Sequence, residues 1–420
     1  MNQLSHPDPT QLESWEIVLL RTAHEISLSE SQYQLISDRY ETLESILSAA
    51  DSPLLKDAHI FVQGSIRLKT TLKPAPEATG EMATVDADAV VWLPNAGNAD
   101  TEAVLQAIQQ RFRAGVRVEA PIEPLRRGIR IVYADENPGF HIDVTPARNA
   151  LGNSGENGIG KLQVPDRELG WKASSPIAYS QWLEIAASQE VQLIWQMELT
   201  KRHIVYDRAS QDPIPDYDDY IDGNPLRAAI KLLKRNRDQW AIREDKVSVR
   251  PISAVITTLA AKAYAEVAIE SRQRPYRPVE AIIEVVRRMS KFIDRRGNDC
   301  FVLNPMDLGE NFAEKWNRPN GEGAAYRQAF NDWHAAALRD ITLGLCDFGS
   351  AIEFSDAMKK SFGVGKTFVE TAIRELPSNW TLPGRAAGTT ANSVRLGALV
   401  GGSAASSASQ ANIKPVDRLG

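Results

Sequence analysis

Cysteine is nearly absent. The chain has 420 residues and two cysteines, Cys300 and Cys346, far apart. That excludes a disulfide framework and a zinc-ribbon spacing, and it fits a reducing compartment. The six histidines are scattered, without metal-ligand spacing. No run is apolar enough to span a membrane. The first residues, Met1 to Asp8, contain no apolar stretch of the kind a secretory signal needs. The expected location is therefore cytoplasmic, with no membrane partner. A basic excess is also missing: 48 Lys and Arg stand against 54 Asp and Glu, a net charge of −6. This argues against a large nucleic-acid footprint, so no nucleic-acid partner is expected. A small triphosphate needs only a local basic pocket. The length suffices for two or three domains, and the hydrophobic (43 %) and charged (24 %) fractions are those of a globular protein.

What is present is a set of acids on strand-like segments. Gly64-Ser65 follows the apolar run Ile60-Phe61-Val62. Asp86-Ala87-Asp88 leads into Ala89 to Leu93, and Asp143 lies inside Phe140-His141-Ile142-Asp143-Val144. The two-residue period of a strand puts Asp86 and Asp88 on one face and Ala87 and Ala89 on the other. Asp143 shares a face with His141 and Thr145, while Phe140, Ile142 and Val144 face a core. If the two strands are neighbours, three carboxylates converge, and hard divalent cations relieve the repulsion. Two such ions roughly 4 Å apart can activate a hydroxyl and stabilise leaving pyrophosphate. The Gly-Ser turn lets the backbone approach a triphosphate, and Ser65 adds a hydroxyl donor. Taken singly, each piece has a plainer reading: a turn, a solvated strand edge, a strand-end cap. In this order, they resemble the active-site signature of the polymerase-β-type nucleotidyltransferases.

The rest of the chain divides by pattern. Ser29 to Ala49 predicts an amphipathic helix, with Ser29 and Gln32 as a capping box and Tyr33, Ile36, Tyr40, Leu43 and Leu47 on one stripe. Residues 58–144 alternate apolar strands with one helix, Thr101 to Arg113; Gly128 to Tyr133 predicts a strand pairing with that of Asp143. Lys73 to Thr84, expected mobile, and Asn149 to Gly160 predict loops. From about Ser174 the pattern is helical: Pro176–Ser188, Pro225–Trp240, Pro251–Glu270, Pro278–Phe292, Ala324–Leu343 and Ala351–Phe362. The last stretch is Gly-, Ala- and Ser-rich and is expected to be flexible. The expected domains are 1–173, 174–382 and a tail, 383–420. On the helix at Pro225, Leu232 and Leu233 face a core and Lys234 is expected to project the other way. A Lys and a Ser brought in by Lys234 and Pro251-Ile252-Ser253 can close over phosphates opposite Ser65. Lys234 to Asp238 is equally what a solvated helix face looks like.

Together these segments resemble a bacterial CD-NTase, a relative of cyclic GMP-AMP synthase. The resemblance spans roughly residues 28–345. It is carried by Phe61 to Thr70, Val85 to Asp88, His141 to Pro146, Val164 to Arg167 with Trp171, and Pro225 to Asp238. Pro251 to Ser253 with Thr257 to Ala261, and Asn304-Pro305 with Glu310 to Phe312 and Trp316, complete it. It implies an α+β fold: a polymerase-β-type core with a mixed sheet and a long spine helix, plus a helical second lobe. It implies Mg²⁺-dependent synthesis of a cyclic di- or trinucleotide from NTPs, ATP and/or GTP among them, in anti-phage (CBASS) signalling through a downstream effector. It puts Asp86, Asp88 and Asp143 on two Mg²⁺ ions, with Mn²⁺ able to substitute. It puts Gln63, Gly64, Ser65, Lys234 and Ser253 on the nucleotide. Transfer to RNA ends or to a protein is the alternative; an interaction scaffold with a dead site is a further one, disfavoured by the intact acid triad. Some relatives carry an aromatic residue where Leu68 stands, so base selection here must differ or come from elsewhere. A Gly-rich segment ending in Gly420 also suits capture by a ubiquitin-conjugation-like enzyme, and equally an ordinary disordered terminus.

Overall fold

The computed structural model describes residues 8–48, 52–115, 121–133, 136, 139–192, 217–221 and 223–394. The helices are α1 (Pro9–Glu25), α2 (Glu30–Ser48), α3 (Gly64–Arg67), α4 (Thr101–Arg113), α5 (Pro176–Ala187), α6 (Tyr217–Tyr220), α7 (Pro225–Arg243), α8 (Ser253–Ser271), α9 (Pro278–Arg288), α10 (Glu322–Asp340), α11 (Ala351–Phe362) and α12 (Lys366–Arg374). The fold is α+β. The chain forms two compact units. Among the described residues, the larger holds those within 22–340 and 360–363, and the smaller holds 8–21, 341–359 and 364–394.

In the larger unit, strands β1 (His59–Gln63), β2 (Val85–Trp92), β3 (Ile122–Pro124), β4 (Ile129–Tyr133), β5 (Phe140–Asn149), β6 (Leu162–Asp166) and β7 (Gly170–Ser174) form one mixed sheet. The order is β1-β2-β5-β4-β3, with β6 joining β5 to β7. The β2–β5 pair is parallel, and β1–β2 and β4–β5 are antiparallel. The predicted neighbours are thus in contact.

Period two sorts the side chains. On β2, Val85, Ala87, Ala89 and Val91 enter a core with Ile142 and Val144 of β5, the α2 stripe and Val104, Ile108 and Phe112 of α4. The other face of β2 carries Asp86 and Asp88 and then Val90 and Trp92, which pack on Phe61, Ala147, Leu162 and Ile177. Each large apolar side chain buried this way contributes about 1.5–3 kcal/mol. The capping box forms as expected: the Ser29 amide donates to Gln32 Oε1 (3.0 Å), and the Gln32 amide donates to Ser29 Oγ (3.3 Å).

The helical part corrects one expectation. Helix α7 starts at an Asn224 cap, with Pro225 in its first turn. Leu232 and Leu233 are buried, but so is every residue from Leu226 to Arg237. The Lys-Arg-Asn-Arg segment is no solvated face. Cations of the buried stretch meet backbone carbonyls: Lys231 that of Tyr220, Lys234 that of Thr70, Arg235 that of Lys73, Arg237 that of Pro251. Helix α8 begins at Ser253 rather than at Pro251. Between α9 and α10 lie two hairpins that the helical pattern does not announce: β8 (Asp294–Arg296) with β9 (Asp299–Phe301), and β10 (Leu303–Asn304) with β11 (Asp307–Asn311).

The smaller unit packs around Trp15. Its indole N–H donates to the Ile341 carbonyl (2.9 Å), and its ring meets Phe354 edge-on at 6.2 Å. Residues 383–394, assigned by composition to the tail, are tied in: the Gly384 amide donates to the Gly344 carbonyl, and the Val394 amide to that of Thr390. The rest of the expected tail, Gly420 included, lies outside the described residues. Among the described residues no helix is long and apolar enough to cross a membrane.

Candidate active site

The register places the acids. Asp88 of β2 sits opposite Asp143 of β5, and Asp86 opposite His141. On the other side of β2, Asp88 faces Gln63, the last residue of β1. The chain then turns at Gly64, whose φ is +61°. A Cβ there would fall 1.9 Å from Asp88 Oδ2, so only glycine lets the turn and the carboxylate coexist. Ser65 follows: its hydroxyl reaches the Asp86 carbonyl (3.3 Å) and accepts from Thr71 (3.1 Å).

The acids are not equivalent. Asp86 opens onto the cleft, with 62 % of its side chain exposed. His141 Nε2 lies 3.0 Å from Asp86 Oδ1, and its Nδ1 lies 3.0 Å from the Thr84 hydroxyl. Removal from bulk water opposes ionisation of Asp86. The His141 contact, with Arg130 and Lys234, outweighs it and holds the carboxyl below its usual value. Asp143 is gripped by both ends of the Arg130 guanidinium, at 2.7 and 2.8 Å. Burial still pushes its carboxyl up. Asp88 has neither helper, and burial followed by the charges of Asp86 and Asp143 pushes it well above the usual carboxylate range.

The opposite wall is cationic. Lys234 is 6 % exposed and donates to the Thr70 carbonyl at 2.8 Å. Burial, then the charge of Arg237, lowers its pKa to about 8. Ser253 opens α8, and no side chain caps that helix. Arg237 donates to Ser253 Oγ (3.2 Å) and to Asp238. A helix N-terminus with uncapped amides suits an anion. Gln63, Gly64, Ser65, Asp86, Asp88, Lys234 and Ser253 all line one cavity of about 620 Å³; Asp143 stands outside its lining.

The donor set fits a hard divalent cation: clustered carboxylate oxygens, one of them carrying an electrostatic deficit that a cation would relieve. Among the described residues the ligand atoms of Asp86, His141 and Asp143 lie within 4.8 Å of one another; Asp88, expected beside them, is not part of that group. The scattered-histidine reading missed His141 as a member of this cluster, although it shares the strand face of Asp143. Arg130 was missed too. An arginine alternating with Ile129 and Ile131 on a strand predicted to pair with β5 was the available signal. On the far side, Asn304 Nδ2 donates to Glu310 Oε2 at 2.7 Å, and both residues line the cavity. Burial pushes the Glu310 carboxyl up, and Asn304 opposes it.

Residues 18–186 match the family described as SMODS, the Second Messenger Oligonucleotide or Dinucleotide Synthetase domain. Among solved structures, the Bradyrhizobium diazoefficiens CD-NTase CdnG in complex with GTP is similar over 86 % of this chain and 98 % of that one, at 19 % identity and a TM-score of 0.59. The 3′-deoxy GTP-bound form of Escherichia coli DncV (85 % and 89 %, 14 % identity, TM-score 0.46) is also similar. So is the Vibrio cholerae DncV cyclic AMP-GMP synthase (86 % and 88 %, 14 % identity, TM-score 0.46). No curated protein matches the chain.

Proposed function

We propose that this chain, a bacterial CD-NTase by its SMODS domain and so a nucleotidyltransferase of the second-messenger synthetases, joins NTPs into a cyclic di- or trinucleotide and releases pyrophosphate. The observation that carries the reading is one cavity lined by charge of both signs: Asp86 and Asp88 from β2, and Lys234 and the start of α8 from the helices. An NTP needs both: a place for charge relief at the α-phosphate and a cationic seat for the β- and γ-phosphates.

Each residue then has a task. The Gly64 turn brings backbone close to the triphosphate, and Ser65 offers its hydroxyl. Lys234 supplies charge to the outer phosphates, and Ser253 with the first amides of α8 hydrogen-bonds them. His141 orients Asp86, and Arg130 orients Asp143. Asp86, Asp88 and Asp143 would hold Mg²⁺, or Mn²⁺ in its place, which when bound supplies charge neutralisation and a lowered pKa for the attacking hydroxyl. A ribose hydroxyl oxygen bonds to the α-phosphorus of a second NTP. Its proton leaves to solvent, and the bond to pyrophosphate breaks. The linear product turns and closes in the same way. The product acts as a second messenger on a downstream effector in anti-phage defence.

The test is incubation of the purified protein with Mg²⁺ and NTPs, without any polynucleotide, and identification of products by mass. A cyclic product with one pyrophosphate released per bond is expected. Dependence on an RNA or protein acceptor, with the label on that acceptor, overturns the reading.

A further inference from the structure

The cavity holds a carboxylate that phosphoryl chemistry does not use. We propose that Glu310, held by Asn304, reads the Watson–Crick edge of a guanine base, so that GTP is a preferred substrate. The proposal rests on the NTP-using reading above and adds the identity of one base.

Glu310 lies near the end of β11 on the helical side of the cavity. Phe312 comes two residues later and lines the same cavity. Asn304 is 1 % exposed. Its Oδ1 accepts from the Met306 amide (2.9 Å), which fixes which end of the side chain is the donor. That donor is committed to Glu310 Oε2. A carboxylate offers roughly four acceptor sites, and the Asn304 contact takes one of them, leaving the others for a ligand.

The bases differ in what they offer such a group. Guanine presents two neighbouring donors, N1–H and the 2-amino group. Adenine and cytosine place an acceptor beside their amino group, and uracil has a single N–H between two carbonyls. Only guanine satisfies a carboxylate twice. The others leave it half-paired in a partly buried site, and an unpaired buried polar group is the stronger source of discrimination. Stacking surfaces stand close by. Phe312 meets Tyr179 edge-on at 5.3 Å, and Tyr179 and Tyr326 line the cavity as well. They supply the aromatic face that Leu68 cannot. Guanine donors, like the Asn304 amide, also favour the ionised Glu310 against the effect of its burial.

Calorimetric titration of the full chain with the α,β-methylene analogues of GTP, ITP and ATP tests this. Inosine keeps N1–H and lacks the 2-amino group. The guanosine analogue should bind most tightly, the inosine analogue about tenfold more weakly, and the adenosine analogue about a hundredfold more weakly, each tenfold being one lost contact of about 1.4 kcal/mol. In Glu310→Gln the amide offers one donor and one acceptor, which suits adenine. Guanosine affinity should fall about a hundredfold and adenosine affinity should rise, with Tm unchanged. Equal binding of the three analogues by the wild type overturns the proposal without recourse to any variant. A folded Glu310→Gln protein that keeps its guanine preference overturns it as well. Failure of every analogue to bind overturns the NTP-using reading beneath it; a cyclic product without guanine overturns this proposal alone.

Discussion

On the sheet side of the cleft, β2 turns Asp86 and Asp88 to the open face and Ala87 and Ala89 to the core. On the helical side, α7 buries the twelve consecutive residues Leu226 to Arg237, five of them cationic. The sheet side leaves its charges under-compensated: Asp88 has no hydrogen-bonding helper against burial and two neighbouring acids. The helical side has compensated its charges already, because its cations rest on backbone carbonyls. The negative wall is thus built to gain a cation. The positive wall is pre-ordered, and its Lys234 titrates close to physiological pH.

The sharpest way to break this contrast is at the acids. Asp86→Asn and Asp88→Asn should each cut product formation at least about 10³-fold. Folding should survive in both: Asp88→Asn removes an uncompensated carboxylate that costs stability, whereas Asp86→Asn gives up only the charge on the His141 contact. Burial and the neighbouring acids raise the Asp88 pKa in the native state, so the metal-free wild type should lose stability as pH rises above the usual carboxylate range. The Asp88→Asn variant should lose less. Added Mg²⁺ should raise the Tm of the wild type and not that of Asp88→Asn. Thermal melts across pH, with and without metal, check all three statements.

Next in size is the turn beside Asp88. Gly64→Ala must place a Cβ against the carboxylate and hold φ at +61°. Strain of about 1–3 kcal/mol plus displacement of Asp88 should reduce kcat about a hundredfold and lower Tm. Melting and steady-state rates on the same preparation separate the two effects.

On the helical side the effects are smaller. A charge-assisted phosphate contact is worth about 1.5–3 kcal/mol. Lys234→Ala should therefore lower kcat/KM about ten- to a hundredfold. Below about pH 8 Lys234 is protonated, so wild-type kcat/KM should fall as pH rises past about 8. Lys234→Arg should not show that fall. Stability has the opposite slope: the unfolded lysine binds its proton up to about 10.4, so the fold gains stability between about pH 8 and that value. Ser253→Ala, losing a neutral contact of about 0.5–1 kcal/mol, should cost only about two- to fivefold. Steady-state kinetics decide it: a Lys234→Ala enzyme with unchanged kinetics would leave that residue a purely structural clamp on Thr70.

The same contrast explains what was readable in the chain. On the sheet side, alternation is a local signal. Two residues of spacing were enough to put Asp86 with Asp88 and to align Asp143 with them, and the α2 stripe and its Ser29–Gln32 cap were equally local. On the helical side the helices themselves were locally legible, but the burial of their charges was not. Lys234 and Arg235 look like surface residues because the carbonyls that satisfy them belong to Thr70 and Lys73, more than 150 residues earlier in the chain. Arg130 and His141 sit in strands that were foreseen, but their partners are set by inter-strand register. The hairpin that carries Glu310 is too short for its period to register.

The most direct measurement is anomalous scattering from crystals grown with Mn²⁺ and a non-hydrolysable NTP. The account predicts Mn²⁺ in contact with carboxylate oxygens of Asp86, Asp88 and Asp143, and a triphosphate reaching Ser65, Lys234 and Ser253. A triphosphate bound elsewhere, or metal peaks away from these acids with Arg130 still closed on Asp143, would contradict it.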